Sequence, residues 1–215
     1  MLKENKGKII ITSLIILLPV IVGIYFWGEL PDPMATHFSF DNEANGWSPR
    51  AFAVFGLPLF LLVIHGVCLA AVTLDPKRKS INGKMLQMIM LICPVCSIFC
   101  SIQIYGYALG MDVDGRVLAH LLLGTIFVLI GNYIPKCRHN YTVGIRLPWT
   151  LADEENWNST HHMAGWLYMA AGLACLANIW LRVSWLTFVA IMAAVLVPAG
   201  YSLLLYVKKK GKSGK

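Results

Sequence analysis

Three cysteines, Cys93, Cys96 and Cys100, recur at i, i+3 and i+7 and would share one face of a helix. A C-x-x-C pair has the spacing of thiol–disulfide chemistry, which needs a thiolate that water can reach. Here the pair lies inside an uncharged run that starts at Met85, so packing by small soft side chains is the reading these residues favour. Cys137, His139, His161 and His162 could offer ligands to a metal. However, Cys137-x-His139 lacks the C-x₂-C or H-x₃-H spacing of zinc sites, and the adjacent His161 and His162 would point to different faces of a helix. No metal and no cofactor is expected. Hydrolysis fares no better: H-E-x-x-H and G-x-S-x-G are absent, and no acid lies within an apolar run to pair with a base. The chain is not expected to be an enzyme.

The elements that carry these residues are long and apolar. Of 215 residues, 57% are hydrophobic and 13% charged, with a mean hydropathy of +0.64, where a soluble domain has roughly 25% charged residues. Six stretches contain no Asp, Glu, Lys or Arg: 9–27, 51–72, 85–109, 117–134, 163–180 and 183–207. Each approaches or exceeds the ~20 residues that cross a bilayer as a helix. They are apolar all round, unlike the amphipathic helices of a soluble core. The expected fold is an all-α integral membrane protein, a single six-helix membrane domain over residues 1–215 embedded in the lipid bilayer. The first run lacks a small-residue cleavage site and reads as a retained span.

Lysine and arginine set the expected orientation. With the N-terminus inside, every one of them except Arg50, Arg116 and Arg182 falls on the cytoplasmic side, so both termini are expected in the cytoplasm. The net charge of +7 then reflects topology and attraction to anionic lipid, with no direct nucleic-acid binding. Asn158-Ser159-Thr160 fits a glycosylation sequon but falls on the inner side, a chance match. No cysteine lies in the expected outer segment, so no disulfide framework is expected.

That outer segment, residues 29–50, holds two proline breaks, Phe38 and Phe40 alternating with His37 and Ser39, and an Asn45-Gly46 turn signal, the marks of a small hairpin. Its acids make it the one markedly acidic patch on that face. It reads either as a solvated loop or as a docking surface for a cationic or amphipathic ligand, with Asp32, His37, Phe38, Phe40, Asp41, Glu43 and Trp47 as the candidate contacts. Asp75-Pro76 and Asn82-Gly83 are turn chemistry between spans two and three. Gly124, Gly131, Ala170, Ala171, Gly172 and Ala174 would let helices approach closely. His65, His120, Gln103 and Asn178 are the sizeable polar groups within spans. Packing explains them, but His65 and His120 also admit a rival reading, a small transporter or proton-linked carrier.

The connector 135–162 is the longest inner segment. Pro148 ends what precedes it, Thr150 stands at an N-cap position, and Asp153, Glu154 and Glu155 follow, so a helix is expected from Leu151 onward into the fifth span. Trp157, His161 and Gly165 would share one face of it. Arg146 is expected to clamp one of the three acids, with Trp149, Trp157 and Trp166 at headgroup level.

The run "GNYIPKCRHNYTVGIRLPWTLADEENWNSTHHMAG" closely resembles the signature of the SdpI family, bacterial multi-pass membrane proteins. The "LPDPMATHFSFDNEANGW" piece is similar to an uncharacterised module that often precedes that signature. The matching positions are Asn132, Tyr133, Pro135, Asn140, Gly144, Arg146, Pro148, Trp149, Thr150, Trp157, Thr160, His161 and Gly165. His162 departs from the pattern, which often has Arg there. The resemblance implies a bacterial cell-membrane protein that gives immunity against a secreted toxic peptide. For the family's namesake it also implies a signalling receptor that holds a transcriptional repressor at the membrane.

Overall fold

The computed structural model describes residues 3–39 and 42–213; Phe40 and Asp41 of the candidate ligand surface lie outside the described residues. In chain order the elements are α1 (Lys6–Tyr25), a hairpin of β1 (Met34–Phe38) and β2 (Ala44–Ser48), and α2 (Leu57–Leu74), entered through a π-helical turn at Phe52–Gly56. Then come α3 (Gly83–Ala108), α4 (Gly115–Tyr133), the short α5 (Pro148–Ala152), α6 (Glu154–Leu181) and α7 (Leu186–Ser213). Six of these helical segments are long and apolar enough to cross a membrane, and they match the six expected runs. The protein is an all-α multi-pass membrane protein carrying one small hairpin. It forms two compact units, Met1–Ala70 with Ile89–Leu122, and Ala71–Met88 with Leu123–Lys215.

In the first unit α1 is held by side chains that reach its backbone. Ser97 Oγ donates to Ile16 O at 2.8 Å, and Tyr105 Oη donates to Pro19 O at 2.9 Å. Pro19 has no N–H to continue the helical ladder, and polar groups at membrane depth need partners from neighbouring helices. His65, buried, meets Thr12 Oγ1 through Nε2 at 3.2 Å. Leu30, Met34, Ala53, Val54, Ile104 and Tyr105 form a core beneath the hairpin. Arg50 folds back over the end of α1, donating to Trp27 O at 2.8 Å and Leu30 O at 3.0 Å with its guanidinium 4.4 Å from the Trp27 ring centroid.

The hairpin forms as expected but turns elsewhere. Asn45 and Gly46 lie within β2, where Gly46 faces His37. The reversal comes earlier: Ser39 N–H donates to Glu43 O at 2.7 Å, and Asn42 takes a φ of 64°. A side chain at position 46 would press on His37 Cβ, so this glycine answers to its cross-strand neighbour rather than to a turn.

In the second unit α4 and α6 meet along glycines. A Cβ on Gly131 would lie 2.9 Å from Gly165 O, and one on Gly172 would lie 2.8 Å from Gly124 O. The sequence points to Gly124, Gly131 and Gly172, and the structure adds Gly165. Such small-residue seams let helix backbones touch in lipid. Asn178 serves the α6–α7 turn: its side chain accepts from Val183 N–H at 2.8 Å and donates to Val183 O and to Thr187 Oγ1, each at 3.0 Å. Arg182, at φ 55°, ends α6.

Candidate functional site

The connector between α4 and α6 is an ordered knot built on Asn140 and Trp157, both wholly buried. Asn140 Nδ2 donates to Arg138 O at 2.8 Å, to Val143 O at 3.1 Å and to Cys137 Sγ at 3.2 Å. Its Oδ1 accepts from Val143 N–H at 2.7 Å and Thr142 N–H at 2.9 Å. One amide side chain thus satisfies most of a tight loop that has no regular structure of its own. Trp157 Nε1 donates to Cys137 O at 2.8 Å, and its ring stacks on His161 with centroids 4.0 Å apart.

His161 has a defined tautomer. Nε2 accepts from Ile145 N–H at 2.9 Å, so it carries no proton, and Nδ1 faces Trp157 O at 2.7 Å, so it does. Gly144, at φ 121°, passes so close that a Cβ there would run into His161 Nε2 and the Trp157 ring. Only glycine fits that path.

The corrections begin at the start of α6. Thr150 is not its cap; Asp153 is, its carboxylate accepting Glu155 N–H at 3.1 Å. Pro148 opens the separate five-residue α5, and the buried Thr150 hydroxyl is spent on Ile145 O and on Leu147, whose N–H it accepts at 2.9 Å. Arg146 does not clamp the acids. It is exposed and donates to Tyr141 O at 2.9 Å, while Lys209 of α7 takes Asp153 at 2.8 Å and Glu155 at 3.4 Å. The Lys209 contact, against a smaller desolvation effect, holds the Asp153 carboxyl below its usual range. Trp157 is core rather than headgroup-facing, because its indole N–H has its acceptor inside. Trp166 is 72% exposed, as an interfacial tryptophan would be.

Two further anchors come from outside the connector. Asp75, buried between α2 and α3, accepts from Thr142 Oγ1 at 2.6 Å, Tyr141 N–H at 2.9 Å and Lys77 N–H at 2.6 Å. Burial raises its carboxyl, but these hydrogen bonds outweigh burial and hold it below the usual carboxylate range. Lys77 Nζ also donates to His139 Nδ1, and His139 Nε2 donates to Leu151 O at 2.9 Å. From α7, Ser202 Oγ accepts the Trp149 indole N–H at 2.8 Å and Ser202 O accepts Asn156 Nδ2 at 2.9 Å; Asn156 Oδ1 in turn accepts the buried Thr160 hydroxyl at 3.0 Å. Sequence reading takes Asp75-Pro76 as a turn only and has no signal for Lys77 or Ser202 as partners.

Of the signature positions, the structure brings Asn140, Gly144, Thr150, Trp157 and His161 into one knot and sets Pro135 against Gly165. Asn132 and Tyr133 stay peripheral, each near the Lys136 ammonium. Both ring nitrogens of His139 and His161 are engaged by protein atoms. The Cys137 thiol, pushed up to about 11 by burial against a hydrogen bond from Asn140, stays protonated near neutral pH. These side chains hold the loop's shape.

The first unit holds a separate cavity of about 300 Å³. It brings together Gln103 and His120 from the spans with His37 and Phe38 from the hairpin. His120 Nδ1 donates to Arg116 O at 2.7 Å. His65, Asp32, Glu43 and Trp47 are not among its lining residues. Asp32 accepts Arg50 N–H at 3.1 Å, and Trp47 is 57% exposed.

Comparison with known proteins agrees with the sequence resemblance. Residues 136–202 match the SdpI/YfhL protein family, and residues 14–62 match a domain of unknown function (DUF1648). The chain is 22% identical over 165 residues to the immunity protein SdpI of Bacillus subtilis (strain 168), covering 77% of this chain and 78% of that protein. No solved structure matches the chain.

Proposed function

We propose that this chain, with its SdpI/YfhL-family segment, is a non-enzymatic membrane immunity protein that protects a bacterium against a secreted toxic peptide. The observation that carries the reading is the match of residues 136–202 to that family, joined to the likeness to an immunity protein over most of the chain. The geometry supports a binding and relaying role: the polar groups of the connector are used on one another, and the knot is tied to α7 and to the α2–α3 loop. In this reading both termini and the connector face the cytosol, and the hairpin face meets the peptide. A bound peptide is kept from assembling into a membrane-disrupting form.

Any signal to a cytosolic transcriptional repressor is a shift between two packings of α4 and α6 around the connector. The glycine seam is where such a shift would act, since backbones of α4 and α6 meet there and Leu176, Val128 and Pro135 pack into the gaps the glycines leave. The test is to express the protein in a sensitive bacterium and challenge it with purified killing peptides. Survival above the empty-vector control is expected, and unchanged killing across the set would remove the reading.

The rival reading, a small transporter or proton-linked carrier, draws on His65, whose Nδ1 is buried without a partner. Replacing His65 and His120 by leucine separates the two. Protection is expected to persist, whereas loss of solute uptake in a correctly inserted double variant would favour the carrier.

A further inference from the structure

The cavity in the first unit has no role in the connector. It follows α4 from Gly115 to Leu122, roughly 10 Å at 1.5 Å per residue, with Phe99, Ile104, Leu118 and Leu122 as apolar walls. Cys100 and Ala119 line it and are exposed, so it opens sideways from α3 and α4 toward what surrounds the spans, which is lipid. Gln103, Arg116 and Asn42 stand at the other end, where α4 starts beside the reversal of the hairpin. A concave, mostly apolar site with a few placed polar groups is the usual form of a small-molecule site.

Gln103 is fixed in one orientation. Asn42 Nδ2 donates to Val113 O at 3.1 Å, so Asn42 Oδ1 is the acceptor for Gly115 N–H and for Gln103 Nε2, each at 3.0 Å. Gln103 is 9% exposed, and its Oε1 is left buried with no partner. A buried acceptor of that kind asks for a donor. Arg116 is the one residue of fixed charge among the described lining residues. Its guanidinium makes one long contact with them or any other described side chain, Nη2 to Asp114 Oδ2 at 3.4 Å, which leaves most of a five-donor fork for an anion.

The occupant that fits is apolar along its length, anionic at its head and furnished with a donor beyond the charge. Phosphatidylglycerol has all three: acyl chains, a phosphodiester with no compensating cation, and glycerol hydroxyls. The ammonium of phosphatidylethanolamine finds no carboxylate among the described lining residues, and Arg116 opposes it. We propose that the cavity binds one phosphatidylglycerol from the leaflet on the hairpin's side. Its phosphate takes Arg116, a glycerol hydroxyl donates to Gln103 Oε1, and the start of one chain lies between Phe99 and Leu122. Thr36 and Phe38 of β1 line the same cavity, so the bound lipid joins the hairpin to α3 and α4. The site does not depend on the immunity reading.

The test is native mass spectrometry of the delipidated full chain in detergent, titrated with three lipids that share their acyl chains. Phosphatidylglycerol is compared with phosphatidylethanolamine, which adds a cation, and with phosphatidylmethanol, which keeps the anionic phosphodiester and lacks the donor. Phosphatidylglycerol is expected to bind about tenfold tighter than either, the worth of one hydrogen bond to a buried polar group or of one charged contact. Gln103→Leu is expected to bring it down to the level of phosphatidylmethanol, and Arg116→Gln to remove its advantage over phosphatidylethanolamine. Ala119→Phe, at an exposed position lining the cavity, is expected to weaken all three about tenfold.

Equal affinity of the natural chain for phosphatidylglycerol and phosphatidylmethanol overturns the proposal, because the buried acceptor is then met by water and not by the lipid. So does a phosphatidylglycerol preference that survives Ala119→Phe, which would place the lipid elsewhere on the protein. If Gln103→Leu fails to insert, the three lipids on the natural chain and on Ala119→Phe decide the matter without it. Unfolding temperature gives a second readout. Phosphatidylglycerol is expected to raise it for the natural chain and not for Ala119→Phe, and an equal rise in both overturns the site.

Discussion

Trp157 and His161 stack one helical turn apart on α6, and between them they receive the loop that follows α4: the indole N–H takes Cys137 O and the imidazole Nε2 takes Ile145 N–H. The irregular segment from Cys137 to Ile145 is therefore fixed at both ends to a single rigid face. Trp157→Phe keeps the ring and removes the donor, leaving Cys137 O buried and unpaired. A loss of about 1–3 kcal/mol is expected, read as a lower unfolding temperature in detergent with normal membrane insertion. An unchanged temperature would show that the indole bond carries no weight.

Gly144→Ala tests the narrowest point of the knot. At φ 121° a Cβ is strained and meets His161 Nε2; strain of this kind costs about 1–3 kcal/mol before the collision is counted. The helices do not depend on this residue, so the expected outcome is an inserted protein whose connector is opened. Limited trypsin digestion at Arg138 and Arg146 should speed up, and an unaltered cleavage pattern would contradict the geometry.

Asp75 gives a pH dependence of defined sign. Its folded pKa lies below the unfolded value of about 3.9. Its stabilisation is fully present above the unfolded value and is lost as pH falls through the folded one. Asp75→Asn places an amide where three donors converge, so about 1–3 kcal/mol should be lost at pH 7. The gap between natural chain and variant should then close on acidification below about pH 4. A gap that stays constant from neutral to acidic pH would mean that the carboxylate charge is not what anchors the loop.

Arg146→Lys is expected to change stability by no more than about 0.5 kcal/mol, because the guanidinium is exposed and makes one hydrogen bond to Tyr141 O. Lys209→Ala should release Asp153 and Glu155, again with a small effect, since the pair is solvent-facing. A large stability loss in the arginine variant would point to a partner of Arg146 beyond this chain.

The membrane spans were legible in the sequence because charge is excluded from hydrocarbon, and the six uncharged runs became six helices. Their ends were less so. α6 begins at Glu154, nine residues before its apolar run, because Asp153 caps it there; α7 continues to Ser213 past the last apolar residue, because a lysine-rich tail can remain helical. Trp157, His161 and Gly165 were readable as one face from their spacing. The anchors were not, since Tyr141 and Asp75 are 66 residues apart and Trp149 and Ser202 are 53 apart. Local pattern carries no trace of such pairings, and a D-P dipeptide looks like a turn whether or not its carboxylate serves a distant loop. The hairpin was read correctly while its reversal was misplaced, because Asn-Gly marks a turn only where no opposing side chain needs the space that glycine leaves.

The long reach of these anchors also orders events at the ribosome. Asp75 is made well before the connector, and Ser202 emerges only after α6 and most of α7. A nascent chain paused ahead of Ser202 would leave the Trp149 indole without its acceptor. The knot is completed only once the last helix has been delivered, and a chain arrested short of that point would expose a loose aromatic segment to quality-control proteases.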